Sequence, residues 1–93
     1  MKYFDWSVKK NEVLRAERNV VFEDIVFSIM QGGLLDIIEH PDKKRYPNQR
    51  IFVVEINDYA YVVPFVEDEN IIFLKTIIPS RKLTKTYLNG RSQ

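Results

Sequence analysis

Two stretches of the chain carry basic side chains and no acid. Residues 43–50 hold Lys43, Lys44, Arg45 and Arg50, and residues 75–93 hold Lys75, Arg81, Lys82, Lys85 and Arg91. Such segments can present a positive face to a polyanion, although fourteen basic and thirteen acidic residues leave a net charge of only +1. The bland alternative is two solvated basic segments far apart in space. Arg81 leads the candidates for phosphate recognition, because a guanidinium is always charged and offers its donors as a planar fork. Lys75, on the last expected strand, can stabilise developing negative charge. Lys10 and Arg18, on or near the first expected helix, can hold a phosphate backbone, as can Lys82 beside Arg81. A solvated helix face is the commoner fate of such residues.

Acid–base chemistry has fewer candidates. His40 is the only histidine and precedes Pro41 in a loop, where a structural role is commoner than catalysis. Glu55 reads as the one acid inside a strand and a candidate general base; its bland role is a cross-strand ion pair with Lys75. One histidine and no cysteine leave only carboxylates for a metal, and Glu67-Asp68-Glu69 reads as a solvated hairpin turn. Neither a metal nor a cofactor is expected. The missing cysteine also excludes disulfide scaffolds, thiolate zinc sites and cysteine nucleophiles.

The elements that must hold these groups follow from local pattern. Ser7 can cap a helix over Val8–Arg18, a mostly polar one with a narrow apolar stripe. Phe22, Ile25, Val26, Ile29 and Met30 recur at helical spacing and predict a buried face on a second helix from Phe22 to Gln31, ended by Gly32-Gly33. Leu34–Ile38 reads as a first strand or an extended segment beneath the sheet, and residues 39–49 as a loop. Arg50–Ile56, Tyr59–Phe65 and Ile71–Ile78 read as a three-strand meander with a tight turn at Asn57-Asp58. Pro64 inside its run predicts an edge strand or an interrupted pairing. Ser80 can cap a last helix over Arg81–Leu88.

The expected product is α+β: two N-terminal helices on a small antiparallel sheet made of the meander plus a short first strand, then a short C-terminal helix, with the helices to one side. The other face of the sheet then mixes apolar bulk with charge, since Val53 and Glu55, and Phe73 and Lys75, share parity. At 93 residues the chain predicts one domain. A 45 % hydrophobic and 29 % charged composition can bury a real core and excludes a disordered chain. No apolar run approaches the roughly 18 residues of a membrane span. The opening Met1–Trp6 carries charge rather than a signal-peptide pattern. A cytoplasmic protein away from membranes is expected.

Three stretches together resemble a known family. Phe4-Asp5-Trp6 is followed by a basic helix with Lys9 and Lys10. Val20-Val21-Phe22-Glu23-Asp24 opens the second helix, and Ile78-Pro79-Ser80-Arg81-Lys82-Leu83-Thr84, with Tyr87 soon after, opens the last. In these stretches, and in the order and lengths of its elements, the chain resembles the BrnT-like toxins of bacterial type II toxin–antitoxin systems, a compact branch of the RelE-like fold. It departs from them twice: Glu17-Arg18-Asn19 stands where Lys-His-Gly is usual, and Thr76 where an arginine is usual.

The resemblance implies a metal-independent ribonuclease that inhibits translation by cleaving RNA, on or off the ribosome. A base takes the proton of the ribose 2′-hydroxyl, cations stabilise the pentacovalent phosphate, and an acid protonates the leaving 5′-oxygen. For that chemistry the catalytic candidates are Arg81, which matches the family signature, with Lys75, Glu55 and His40 from the residues themselves; Lys10, Arg18, Lys82 and Tyr87 are the candidate RNA contacts, and packing is the commoner role for Tyr87. It also implies a cognate antitoxin of ribbon-helix-helix type, through which alone the complex would touch DNA. The alternative is a non-catalytic protein-interaction module of the same fold, which the two departures motivate.

Overall fold

The structure, a computed structural model, describes residues 2–88. The elements run β1 (Tyr3–Trp6), α1 (Val8–Arg18), α2 (Phe22–Met30), β2 (Leu34–Glu39), β3 (Arg50–Ile56), β4 (Tyr59–Glu67), β5 (Ile71–Leu74), β6 (Ile78–Pro79) and α3 (Arg81–Leu88). The described fold is α+β, with a six-stranded mixed sheet ordered β1-β5-β4-β3-β2 and β6 paired to β4. Among the described residues no helix is long and apolar enough to cross a membrane.

Capping explains where the helices begin. The Ser7 hydroxyl accepts the Lys10 N–H at 3.1 Å at the start of α1, and the Ser80 hydroxyl accepts the Leu83 N–H at 3.1 Å at the start of α3. α2 has Val21 at its cap position and no side-chain cap of its own. Asn11 of α1 supplies one from a distance: its Oδ1 accepts the Phe22 N–H at 2.7 Å, and its amide donates to Glu23 Oε1 at 2.8 Å. α2 stops at Met30, followed by Gly32 at φ +90°. Met30, expected in the buried face, is 75 % exposed; the burial is carried by Phe22 and Ile25, and Met30 lies at the margin of the stripe.

The β3–β4 hairpin is in register from Arg50↔Phe65 to Ile56↔Tyr59. Its turn residues Asn57 and Asp58 have φ 52° and 63°, the left-handed pair that a tight hairpin needs and that Asn and Asp tolerate. β4 runs on to Glu67, past the expected end at Phe65.

The expected third strand, Ile71–Ile78, is two strands. β5 pairs with β4 only from Ile72↔Glu67 to Leu74↔Phe65, and β6 pairs at Ile78↔Val62 and Pro79↔Tyr61. Lys75–Ile77 between them is irregular, so Lys75 follows a strand instead of lying in one. Pro64 is opposite this break and has no N–H to give. Its carbonyl accepts the Lys75 N–H at 2.8 Å. Of the two readings of Pro64 the interruption holds, since β4 is interior to the sheet. Tyr3–Trp6, where the local pattern marks no element, forms the outer strand β1, parallel to β5.

The helices are not to one side. α1 and α2 cover one face through Leu14, Phe22 and Ile25, against Phe52, Val54, Val63, Phe65 and Leu74 from alternate positions of the strands. α3 covers part of the opposite face, where Leu88, Leu83 and Tyr87 pack with Val53 and Ala60. The Thr84 hydroxyl accepts the Ala60 N–H at 2.8 Å and so seats α3 directly on β4.

Candidate functional site

Arg18, Lys75 and Arg81 are all tied to the connection between β5 and β6, by a hydrogen bond or by chain position. Arg18, at the end of α1, donates from its guanidinium to the Ile77 carbonyl at 2.5 Å. Ile77 is two residues after Lys75 and four before Arg81, so both Cα atoms lie within about 14 Å of it. Ile77 is fully buried and anchors the connection, while Lys75, Arg81 and Lys82 are exposed. Lys75 extends along the sheet with Nζ 5.5 Å from the centre of the Phe73 ring, a cation–π contact on the face that also carries α3. Arg81 and Lys82 occupy the first turn of α3, and neither they nor Lys75 has an ion-pair partner among the described residues.

The remaining candidates are placed elsewhere. Lys10 is half-buried on α1, in the helical layer across the sheet from α3. Arg18 reaches the break in the sheet through Ile77, which is buried in the core on the α1 and α2 side. His40 follows β2 at the edge of the sheet, three strand spacings from β5, about 14 Å at the usual separation. Its Nδ1 accepts the Asp42 N–H at 3.1 Å and its ring lies 4.5 Å from that of Tyr46.

Glu55 is not the one acid inside a strand: Asp5, Asp36, Glu39 and Glu67 are others. Nor can it be a direct cross-strand partner of Lys75, because β4 lies between β3 and β5. It pairs in register with Ala60, whose N–H is bound by Thr84, a residue one helical turn after Arg81. Its backbone is fixed as well, the carbonyl accepting the Ser28 hydroxyl and the N–H donating to Gly33 at 2.9 Å. A Cβ at Gly33 would collide with the Ser28 hydroxyl and crowd the Ser28 and Glu55 carbonyls at 3.0 and 3.2 Å, so a larger residue there displaces the Ser28 bond to Glu55.

Tyr87 is half-buried against the second core, and its hydroxyl donates to Asp36 Oδ2 at 2.6 Å. That bond holds the Asp36 carboxyl below the usual carboxylate range and pushes the Tyr87 phenol up. Glu67 is also held low, by Lys2 first, with burial opposing and Arg50 assisting. Asp68 closes the β4–β5 turn by accepting the Asn70 and Ile71 N–H groups, each at 2.8 Å.

Sequence reasoning missed the Arg18–Ile77 bond. A signal pointing near it was present in Pro64, which marks the interruption but does not say what fills it. A groove of about 380 Å³, lined by Asp24, Phe27, Gln31, Glu55 and Asn57 among others, contains none of the cationic candidates. Comparison with protein-family models, with curated proteins and with solved structures returned no match.

Proposed function

We propose that the chain is the toxin of a type II toxin–antitoxin system, of the BrnT-like family with a RelE-like arrangement. It is a metal-independent endoribonuclease of the cytoplasm that cleaves RNA and inhibits translation, neutralised by a cognate ribbon-helix-helix antitoxin. The observation that carries the reading is the segment Ile78–Tyr87. It leaves β6, turns through the Ser80 cap into α3 and keeps Arg81 and Lys82 exposed, next to the connection that Arg18 holds.

In this reading Arg81 and Lys75 face the scissile phosphate and stabilise its pentacovalent charge. Glu55, near α3 in register, is the better placed candidate for taking the 2′-hydroxyl proton. Arg18 has donors left after the Ile77 bond and can steady the RNA backbone. The antitoxin covers the exposed cations with complementary charge.

One observation favours the second reading, a non-catalytic interaction module of the same fold. Lys10 lies across the sheet from α3, His40 at its far edge, and the Tyr87 hydroxyl is engaged by Asp36. The candidates therefore do not all line one pocket.

Expression of the chain alone in a bacterium separates the two. The toxin reading expects growth arrest and fragmented RNA, relieved by at least tenfold in Arg81→Ala and in Lys75→Ala, on the order of one lost phosphate contact. Normal growth with intact RNA overturns it in favour of the module. Equal toxicity in all variants overturns the residue assignment alone.

A further inference from the structure

The basic run at residues 43–50 has no part in the nuclease reading, yet the β2–β3 loop that carries it is folded back on itself. Asp42 Oδ1 accepts the Arg45 N–H at 3.1 Å, and the Asp42 carbonyl accepts the Tyr46 N–H at 2.9 Å. At the base, the Asp42 N–H donates to His40, whose ring lies against Tyr46. This turn holds Lys43, Lys44 and Arg45 consecutively, all exposed. Lys43 and Lys44 have no ion-pair partner among the described residues, and Arg45 reaches Asp42 only at 4.0 Å. Arg50, in contrast, is paired with Glu67.

Adjacent like charges on a constrained turn repel, and a chain of anions spanning them relieves the repulsion. Because the turn is already formed, little ordering is needed when it binds. The chemistry favours phosphodiester over protein. No large apolar side chain of residues 41–49 is exposed, so a protein partner would lack the apolar centre that such interfaces use. Lysine ammonium groups are point charges that suit phosphates and read no base.

We propose that the β2–β3 loop is a second RNA-binding element, in which Lys43, Lys44 and Arg45 grip the backbone of single-stranded RNA without sequence preference. It goes beyond the nuclease reading, since the loop holds RNA whether or not the chain cuts it.

The test is fluorescence anisotropy of a labelled uridine oligonucleotide with the full chain across a salt series. Each lysine on a phosphate contributes about 0.7 to the logarithmic salt slope, so Lys43→Ala/Lys44→Ala should lower the slope by roughly 1.4 and weaken binding on the order of fiftyfold near ~50 mM salt. Lys43→Arg/Lys44→Arg should keep the slope, and thermal melts check that each variant folds. Unchanged affinity and slope in the alanine pair overturn the proposal, as does failure of the wild type to bind. A polyglutamate peptide that binds through these lysines where the oligonucleotide does not also overturns it and assigns the loop to an acidic protein. Loop-dependent binding by a chain that leaves RNA intact supports the loop and removes only the nuclease. Arg81→Ala should lose cleavage and keep the contribution of the loop to the slope.

Discussion

Arg18 shows how one side chain can join parts of the chain that pattern alone leaves separate. Its bond to the Ile77 carbonyl links the end of α1 to the gap between β5 and β6. Arg18→Ala should destabilise by about 1–3 kcal/mol, the usual range for a lost charged hydrogen bond to a buried segment. That is a fall in Tm of about 4–8 °C per kcal/mol in a domain of this size. Arg18→Lys should recover part of it; if thermal melts of Arg18→Ala match the wild type, the bond does not hold the connection. The Tyr87–Asp36 bond makes a prediction in pH. The carboxyl of Asp36 is held low, so its contribution is full above the ordinary carboxylate range and is lost as pH falls from that range through the lowered value. The phenol of Tyr87 is raised, so its contribution is present below the ordinary tyrosine value and fades as pH climbs through the raised one. In Asp36→Asn the Tyr87 titration, followed by phenolate absorbance, should move to lower pH. A titration that stays in place removes Asp36 as the cause.

At the scale of elements, α2 depends on α1 for its start. Asn11 is 6 % exposed and supplies both a cap for Phe22 and a donor for Glu23. Loss of this side chain leaves a buried N–H without a partner, a cost of about 1–3 kcal/mol. Asn11→Ala should therefore lower the urea midpoint with little change in m. Glu23, held low chiefly by the Asn11 hydrogen bond, should titrate at higher pH in the variant. An unaltered midpoint would show that α2 nucleates without Asn11. The helix limits were legible in the chain because caps and apolar spacing are local properties: Ser7, Ser80 and the Phe22–Ile25 stripe mark their own positions. The Asn11 cap was not legible, because it spans eleven residues and depends on how two helices pack.

Across the whole molecule, a sheet covered on both faces creates two cores with separate sensitivities. Ala60 is fully buried beneath α3, and its neighbours in that second core are Val53 and Leu88. Ala60→Leu overfills this layer, at a cost of about 1–3 kcal/mol, and should lift α3 while leaving α1 and α2 seated. Hydrogen exchange should then accelerate at residues 81–88 and remain slow at residues 22–30. Uniform acceleration would mean that the two layers unfold as one. The same two-sidedness governs the candidate site, because it puts Arg81 and Lys82 on one side of the sheet and Lys10 on the other.

Both helices of the first layer, the β3–β4 hairpin, the cap of α3 and the α+β class were already written in residue order. Each depends on dihedral preference and on hydrophobic spacing within a dozen residues. Folding in three dimensions settled the rest: β1 as a parallel outer strand beside β5, the break opposite Pro64, the seating of α3 on the far face, and the separation of His40 from Lys75. Those outcomes depend on pairings between distant segments, where many registers satisfy the same local pattern and only the packing of the complete sheet distinguishes them.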